Sequence, residues 1–379
     1  MAATPALRLE WAIRHRPQAM HDHGESMSGD RRNGPHPPDA ARPAGRVRIQ
    51  DVAAQAGVSM KTVSRVLNHE PNVSEPVRLR VEAAVQELRY RPLPSARMLA
   101  GNRSYLVAML FDNPSSNYLM EIEMGVLDAC QARHYSLMLA PLEYDAADIV
   151  AKVEALVAQS QVDGLVLTPP LTDDTALLQR LRELDIPHAG ISAREPNRRI
   201  GVVVDEVQAA SEIVDHLVAL GHTRIAHIQG HPAHGGSSWR MAGYQQGLQR
   251  GGLAADPALV VEGAFSYDSG YAATVRLLAL PEPPTAIFAA NDDMAAGAIC
   301  AICERGLSVP VDISVCGFDD TPISRQIYPA LTTVRQPSRE MGRLATLELL
   351  KEIRERGTGG MVDVGYALQL RRSTGVVKR

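Results

Sequence analysis

The chain has 379 residues, more than one ordinary domain needs, and its length suggests two to three. Hydrophobic residues make up 45% and charged residues 22%, a globular balance, and no apolar run approaches the ~20 residues of a membrane span. The net charge of −4 does not mark a polyanion binder, but its distribution does: residues 42–103 hold eleven basic side chains against five acids.

Residues 1–45 are rich in Pro, Arg, Gly and His, show no sustained periodicity and lack the apolar core of a secretory signal. A disordered extension is expected there, with Met27 as a second candidate start. The next segment, IQDVAAQAGVSMKTVSRVLNHEPNVS, is the most informative. Ile49, Val52, Ala53 and Ala56 recur at helical spacing, Gly57 supplies a sharp stop, and Ser59 caps a second helix that buries Val63, Val66 and Leu67. This leaves Met60, Lys61, Ser64 and Arg65 outward, the arrangement of a helix-turn-helix whose second helix meets DNA. Ser74 then opens a third helix with Val77, Val81, Ala84, Val85 and Leu88 on one face, closing a three-helix domain over 46–93. Pro92 and Pro94 break the chain before SARMLAG, and 94–103 reads as a linker.

From Tyr105 the texture becomes alternating strand and helix. YLVAMLF, YSLMLAPL, VDGLVLTP and IPHAGIS read as continuous apolar strands, as expected when helices cover both faces of a parallel sheet. A second series starts near Ile200 with GVVVDE, RIAHIQG, LVVEGAF, TAIFAAN and ISVCGFDD, again separated by helical stretches. The chain therefore predicts two doubly wound parallel-sheet subdomains in tandem over 104–379. Their boundaries are about 104–203 with 337–361, and 204–336 with 362–379. Ligands bind outside the carboxyl ends of such strands, and two facing modules make a cleft suited to hinge closure.

Four cysteines in a chain of this length argue for a reducing, cytoplasmic setting rather than a disulfide framework. Cys300 and Cys303 sit inside the apolar helical run AAGAICAIC, where packing outweighs a metal or redox reading. The twelve histidines show no zinc-ligand spacing, so no metal or cofactor is expected.

With these motifs in order, the chain resembles the lac-repressor/galactose-repressor family of bacterial transcription regulators. DVAAQAGVSMKTVSRVLN, SARMLAG, LGHTRIAHIQG, RMAGY, AANDDMAAGA, GFDD and ALTTV carry the likeness, which runs from about Val47 to the C-terminus. It implies a periplasmic-binding-protein-like effector region, a homodimer without a tetramerising tail, and two recognition helices in successive major grooves of a near-palindromic operator near the nucleoid. By position, Met60, Lys61 and Arg65 face bases. Arg65 either bonds two acceptors of a guanine or anchors a phosphate, while Met60 suits a thymine methyl or groove shape. Arg48, Ser59, Thr62, Asn68 and Ser74 would hold phosphates and set register. Residues 94–101, with Arg97, match the family's hinge helix. Leu99 takes the place of a leucine wedged into the minor groove, its alternative being a core leucine.

The same resemblance places effector contacts at Arg240, Asn291 and Asp319, with Phe265 as an aromatic platform and Tyr118 across the cleft. Arg240 suits vicinal hydroxyls or a carboxylate, and Asp319 with Asn291 describes a polyol site. Asn291 could equally be a helix cap and Phe265 core, and Asp320 structural. Ser192 or Arg194 replaces the acid of some sugar-binding members, which leaves an acidic or phosphorylated effector open. The expected function is a repressor of carbohydrate-use genes whose operator binding is switched by a small-molecule effector, a sugar or sugar derivative. A solute-binding protein without a transcriptional role is the alternative, disfavoured by the DNA-reading head. An enzyme is not expected, because no phosphate-loop, dinucleotide or nucleophile-elbow motif occurs.

Overall fold

The computed structural model describes residues 47–67, 73–90, 103–192 and 200–378. It divides between residues 91 and 92 into two compact units.

In the first unit, Ile49–Ala56 (α1), Met60–Leu67 (α2) and Glu75–Glu87 (α3) enclose Val52, Ala53, Ala56, Val63, Val66, Val81 and Ala84. Tyr90, just beyond α3, completes this core. Gly57 ends α1 in the left-handed region, φ 65°, where a Cβ would be strained. Ser59 Oγ accepts the Thr62 N–H at 3.1 Å and so caps α2. Ser74 stands at the start of α3 with extended backbone, but its hydroxyl makes no capping bond. Pro76 removes one donor, and the Val77 N–H goes instead to the Ser74 backbone carbonyl.

The second unit begins with Leu106–Phe111 (β1), Ser116–Ala132 (α4), Ser136–Pro141 (β2), Ile149–Ser160 (α5), Gly164–Leu167 (β3), Thr175–Glu183 (α6), His188–Ile191 (β4) and Gly201–Val203 (β5). The chain then enters a second lobe. This holds Glu206–Ala219 (α7), Ile225–Gln229 (β6), Gly235–Arg250 (α8), Val260–Glu262 (β7), Tyr267–Leu278 (α9), Ala286–Ala289 (β8), Asp292–Glu304 (α10), Ser314–Asp319 (β9), Ile323–Gln326 (α11) and Thr332–Arg335 (β10). It returns through Ser338–Arg354 (α12) and Met361–Asp363 (β11) before ending with Ala367–Gln369 (β12).

Among the described residues each lobe has a six-stranded sheet, ordered β11-β5-β4-β3-β1-β2 and β12-β10-β9-β8-β6-β7. All neighbours are parallel except β10 and β12. Apolar clusters cover both faces of each sheet, which is why the strands read as unbroken apolar runs. β11 pairs with β5, so the last return to the second lobe falls after Asp363, two residues later than the expected 361 boundary. α12 packs on α4 at near backbone contact, since a Cβ on Gly125 would lie 1.8 Å from the Arg339 carbonyl oxygen. No described helix is long and apolar enough to cross a membrane.

Candidate functional site

In the first unit, α2 presents Met60, Lys61 and Arg65 to solvent, with Met60 48% exposed. Thr62 and Ser64 are half-buried, and the Ser59 and Thr62 hydroxyls lie 2.9 Å apart, pairing at the helix start. Arg48 is exposed at the start of α1, where its N–H donates to Asp51 Oδ2 at 2.7 Å. Ser74, with its hydroxyl free of capping, is exposed as well. Asn68, Arg97, Leu99 and Arg194 lie outside the described residues.

In the second unit, both sheets point their carboxyl ends at one cavity of about 30 Å³ between the lobes. Asn113 follows β1, Pro169 follows β3 and Ser192 follows β4, while Tyr118 projects from the first turn of α4. From the second lobe come Glu206 at the start of α7, His234 and Arg240 at α8, Phe265 after β7, Asn291 after β8, and Asp319 at the end of β9. These are the strand ends where doubly wound sheets bind ligands. Ser192 (φ 49°), Phe265 (φ 57°) and Asp319 (φ 108°) hold positive φ, a concentration of backbone strain typical of a site whose side chains are aimed by their surroundings.

Arg240 is the hub. It is 6% exposed; its Nε donates to Glu206 Oε2 at 2.9 Å, its Nη1 to the Ala290 carbonyl, and its Nη2 lies 3.5 Å from Asp319 Oδ1. Its guanidinium stacks 3.9 Å from the centre of the Phe318 ring. Burial opposes the charge of Arg240, but Glu206 and Asp319 more than offset it, so the group stays protonated. Burial lifts Asp319 to about 7, against the pull of Arg240 and a 2.7 Å bond from Gln336 Nε2. Burial also lowers His234 to about 4, helped by His231 and Arg240, which leaves its ring neutral. Tyr118 is pushed well up, first by burial and then by Asp319 and Glu206, so its phenol remains a donor.

Asn291 caps α10 by accepting the Met294 N–H at 2.9 Å and donates to the Phe265 carbonyl at 2.9 Å. The helix-cap alternative is therefore present, and the same amide fixes Phe265, which both joins the core and faces the cavity. Asp320 points elsewhere: it pairs with Arg335 at 2.6 Å and with Arg371, and accepts the Ser324 hydroxyl at 2.8 Å. Cys300 and Cys303 belong to α10, away from the cavity lining, and no metal-holding group of His, Cys, Asp or Glu exists among the described residues.

Sequence reasoning missed Glu206, His234 and three bonds across the lips of the cleft. Ser115 Oγ donates to Asp293 Oδ2 at 2.5 Å and Asn117 Nδ2 to Asp293 Oδ1 at 3.0 Å, while the Gly235 N–H donates to Asp173 Oδ2 at 3.1 Å. The reading of GVVVDE as strand hid Glu206. Asp205 and Gln208 were the available signal, because an acid three residues before a Gln marks a helix start, and Asp205 does cap α7 through the Gln208 N–H.

A helix-turn-helix joined on one chain to a two-lobed, hinge-linked binding module defines a DNA-binding regulator with a small-molecule cleft. The comparisons agree. Residues 48–93 match the description "Bacterial regulatory proteins, lacI family", and residues 214–374 match "Periplasmic binding protein-like domain". The chain is 34% identical over 300 residues to the HTH-type transcriptional regulator DegA of Bacillus subtilis (strain 168), covering 78% of this chain and 88% of that one. Its structure is similar to a lac repressor dimer bound to operator and an anti-inducer (TM-score 0.73, 32% identity, 87% of this chain and 100% of that). It is also similar to the CelR regulator in complex with cellobiose (TM-score 0.66, 30% identity, 86% of this chain and 100% of that). The chain belongs to the lacI family of bacterial regulatory proteins. These relatives are regulators, not enzymes.

Proposed function

We propose that the protein is an operator-binding repressor, active as a homodimer, whose grip on DNA is switched by a sugar in the cleft, and that it controls carbohydrate-use genes. The observation that carries this reading is the joint presence of an exposed Met60–Lys61–Arg65 face on α2 and a buried Arg240–Asp319–Asn291 floor between two lobes. The cleft supplies what a polyol needs: carboxylate acceptors, a charged fork, and the Phe265 ring as a platform for C–H faces. On the DNA side, Arg65 and Lys61 read bases with Met60. Arg48, Ser59, Thr62, Ser64, Asn68 and Ser74 hold the backbone, and Arg97 and Leu99 of the hinge act at the operator centre.

The dimeric assembly on an operator and the cellobiose complex of the two structural relatives support the reading. The test is selection of bound sequences from random DNA with the purified full chain, followed by titration of the selected duplex with cellobiose and other sugars. A near-palindromic consensus whose occupancy changes with one sugar is the expected result. A protein that selects no sequence is not a sequence-specific regulator.

A further inference from the structure

The cleft carries an unequal charge balance. Of the described residues lining it, Glu206 on α7 and Asp319 on β9 are acids, Arg240 on α8 is the single strong base, and His234 and Tyr118 remain neutral. The Glu206 side chain is 1% exposed and lies against Arg240. Its place is built into the fold, because a Cβ on Gly236 would come within 3.1 Å of its Oε2. The Nε edge of Arg240 is thus covered by Glu206, its Nη1 is turned to the Ala290 carbonyl, and its Nη2 faces Asp319.

A ligand carboxylate or phosphate that reached the remaining N–H groups of that fork would lie beside the buried carboxyl groups of Glu206 and Asp319, and like-charge repulsion would oppose it. A hydroxyl meets no such conflict, since it donates to an acid and accepts from an N–H in the same contact. An ammonium group on a sugar would be attracted by Glu206, and by Asp319 wherever the pH ionises it.

We propose that Glu206 is a specificity-determining residue that restricts the cleft to uncharged and amino sugars and excludes sugar acids and sugar phosphates. The inference rests on the reading of this cleft as the sugar site, and it closes the acidic or phosphorylated option that the sequence leaves open.

The test is thermal unfolding of the full-length protein, wild type and Glu206→Gln, with matched probes at constant ionic strength. The probes are glucose, glucosamine, glucuronate and glucose 6-phosphate, then ribose with ribose 5-phosphate, and cellobiose. In the wild type at least one uncharged or amino sugar should raise the melting midpoint while its acidic counterparts do not. Glu206→Gln, which keeps the shape and removes the negative charge, should improve the acidic probe relative to its neutral partner by at least tenfold.

Stabilisation of the wild type by glucuronate or a sugar phosphate overturns the proposal. So does a panel in which no sugar acts, or unchanged discrimination in Glu206→Gln. If that variant does not fold, Glu206→Asp, which retains the charge, must keep the exclusion of acids; its loss counts against the charge argument. Operator binding is measured separately. A sugar that raises the melting midpoint of a protein unable to select DNA sinks the regulator reading alone, whereas operator binding that responds to a sugar phosphate sinks this inference alone.

Discussion

Asp319→Asn should make the protein more stable at alkaline pH and no more stable at acid pH. Asp319 has an ordinary value of 3.8 and is raised to about 7 in the folded chain, chiefly by burial. The folded protein therefore holds this proton more tightly than the unfolded chain, and stability falls as pH rises from about 4 to about 7. At about 1.4 kcal/mol for each tenfold change in an ionisation constant, full ionisation costs on the order of 4 kcal/mol, roughly half of it reached by pH ~5.4. Asparagine is uncharged at every pH and can still accept the bond from Gln336, so it escapes that cost. Asp292, fully buried behind it and raised first by burial and then by Asp319, shifts the result in the same direction. The assay is urea unfolding of wild type and variant from pH 4 to 8. It is followed by the fluorescence of Trp239, which adjoins Arg240 on α8, in a Trp11→Phe background. The difference in stability should be near zero at pH 4 and reach a few kcal/mol by pH 8. A difference that stays flat, or a variant weaker than wild type at pH 8, refutes the reasoning. The same variant should lose its response to effector, since stability gained at a binding site is commonly function lost.

Arg65→Ala should lower the preference for operator over random DNA by about 1–3 kcal/mol while leaving effector binding alone. Competition gel shifts that show an unchanged preference would remove Arg65 from base reading. Asp293→Ala deletes the acceptor of two cross-lobe bonds, charge-assisted contacts of about 1.5–3 kcal/mol each. It should open the free cleft, seen as a larger radius of gyration in X-ray scattering, and an unaltered profile would show that these bonds do not hold the lobes together. Gly125→Ala places a methyl group 1.8 Å from the Arg339 carbonyl oxygen and should destabilise the first lobe by about 3 kcal/mol, measured by denaturant titration.

The elements legible in the sequence were those whose signals are local. α1 and α2 could be bounded because Gly57 and Ser59 are stop and start signals with a steric and a hydrogen-bonding cause. The parallel strands were legible because burial on both faces leaves no polar alternation to confuse them. Past Asp320 the signal weakened: β10 reads TTVR, β11 and β12 have three residues each, and β11 pairs with β5, about 160 residues earlier in the chain. No local rule announces such a pairing. The cleft shows the same division. The positions of Arg240, Asn291 and Asp319 followed from motifs, but their partners did not. Arg240 meets Glu206 across 34 residues and the Ala290 carbonyl across 50, and only the assembled lobe brings these groups together.

The two sets of bonds in the cleft have different consequences for switching. Those around Arg240 all lie within the second lobe, so parting the lobes leaves the hub intact and the ligand floor preorganised. Those of Asp293 and Asp173 join the lobes, so parting breaks every one of them. The space enclosed here is about 30 Å³, far below the ~300–1,000 Å³ of usual small-molecule pockets, so a sugar enters only by separating the lips. Among the described residues the chain crosses between the lobes three times, through the short segments after β5, between β10 and α12, and between β11 and β12. Rotation at those few residues can reseat the lobes around a ligand without disturbing either sheet. A ligand can shift the lobes only by the difference in its free energy of interaction with the open and closed arrangements. Since Arg240 and Asp319 are held by one lobe in both arrangements, that difference must come from the groups that approach from the other lobe, Tyr118 and Ser192 with the Ser115 lip. Substituting Tyr118 should therefore reduce the response to effector more than the affinity for it, whereas substituting Arg240 should remove both.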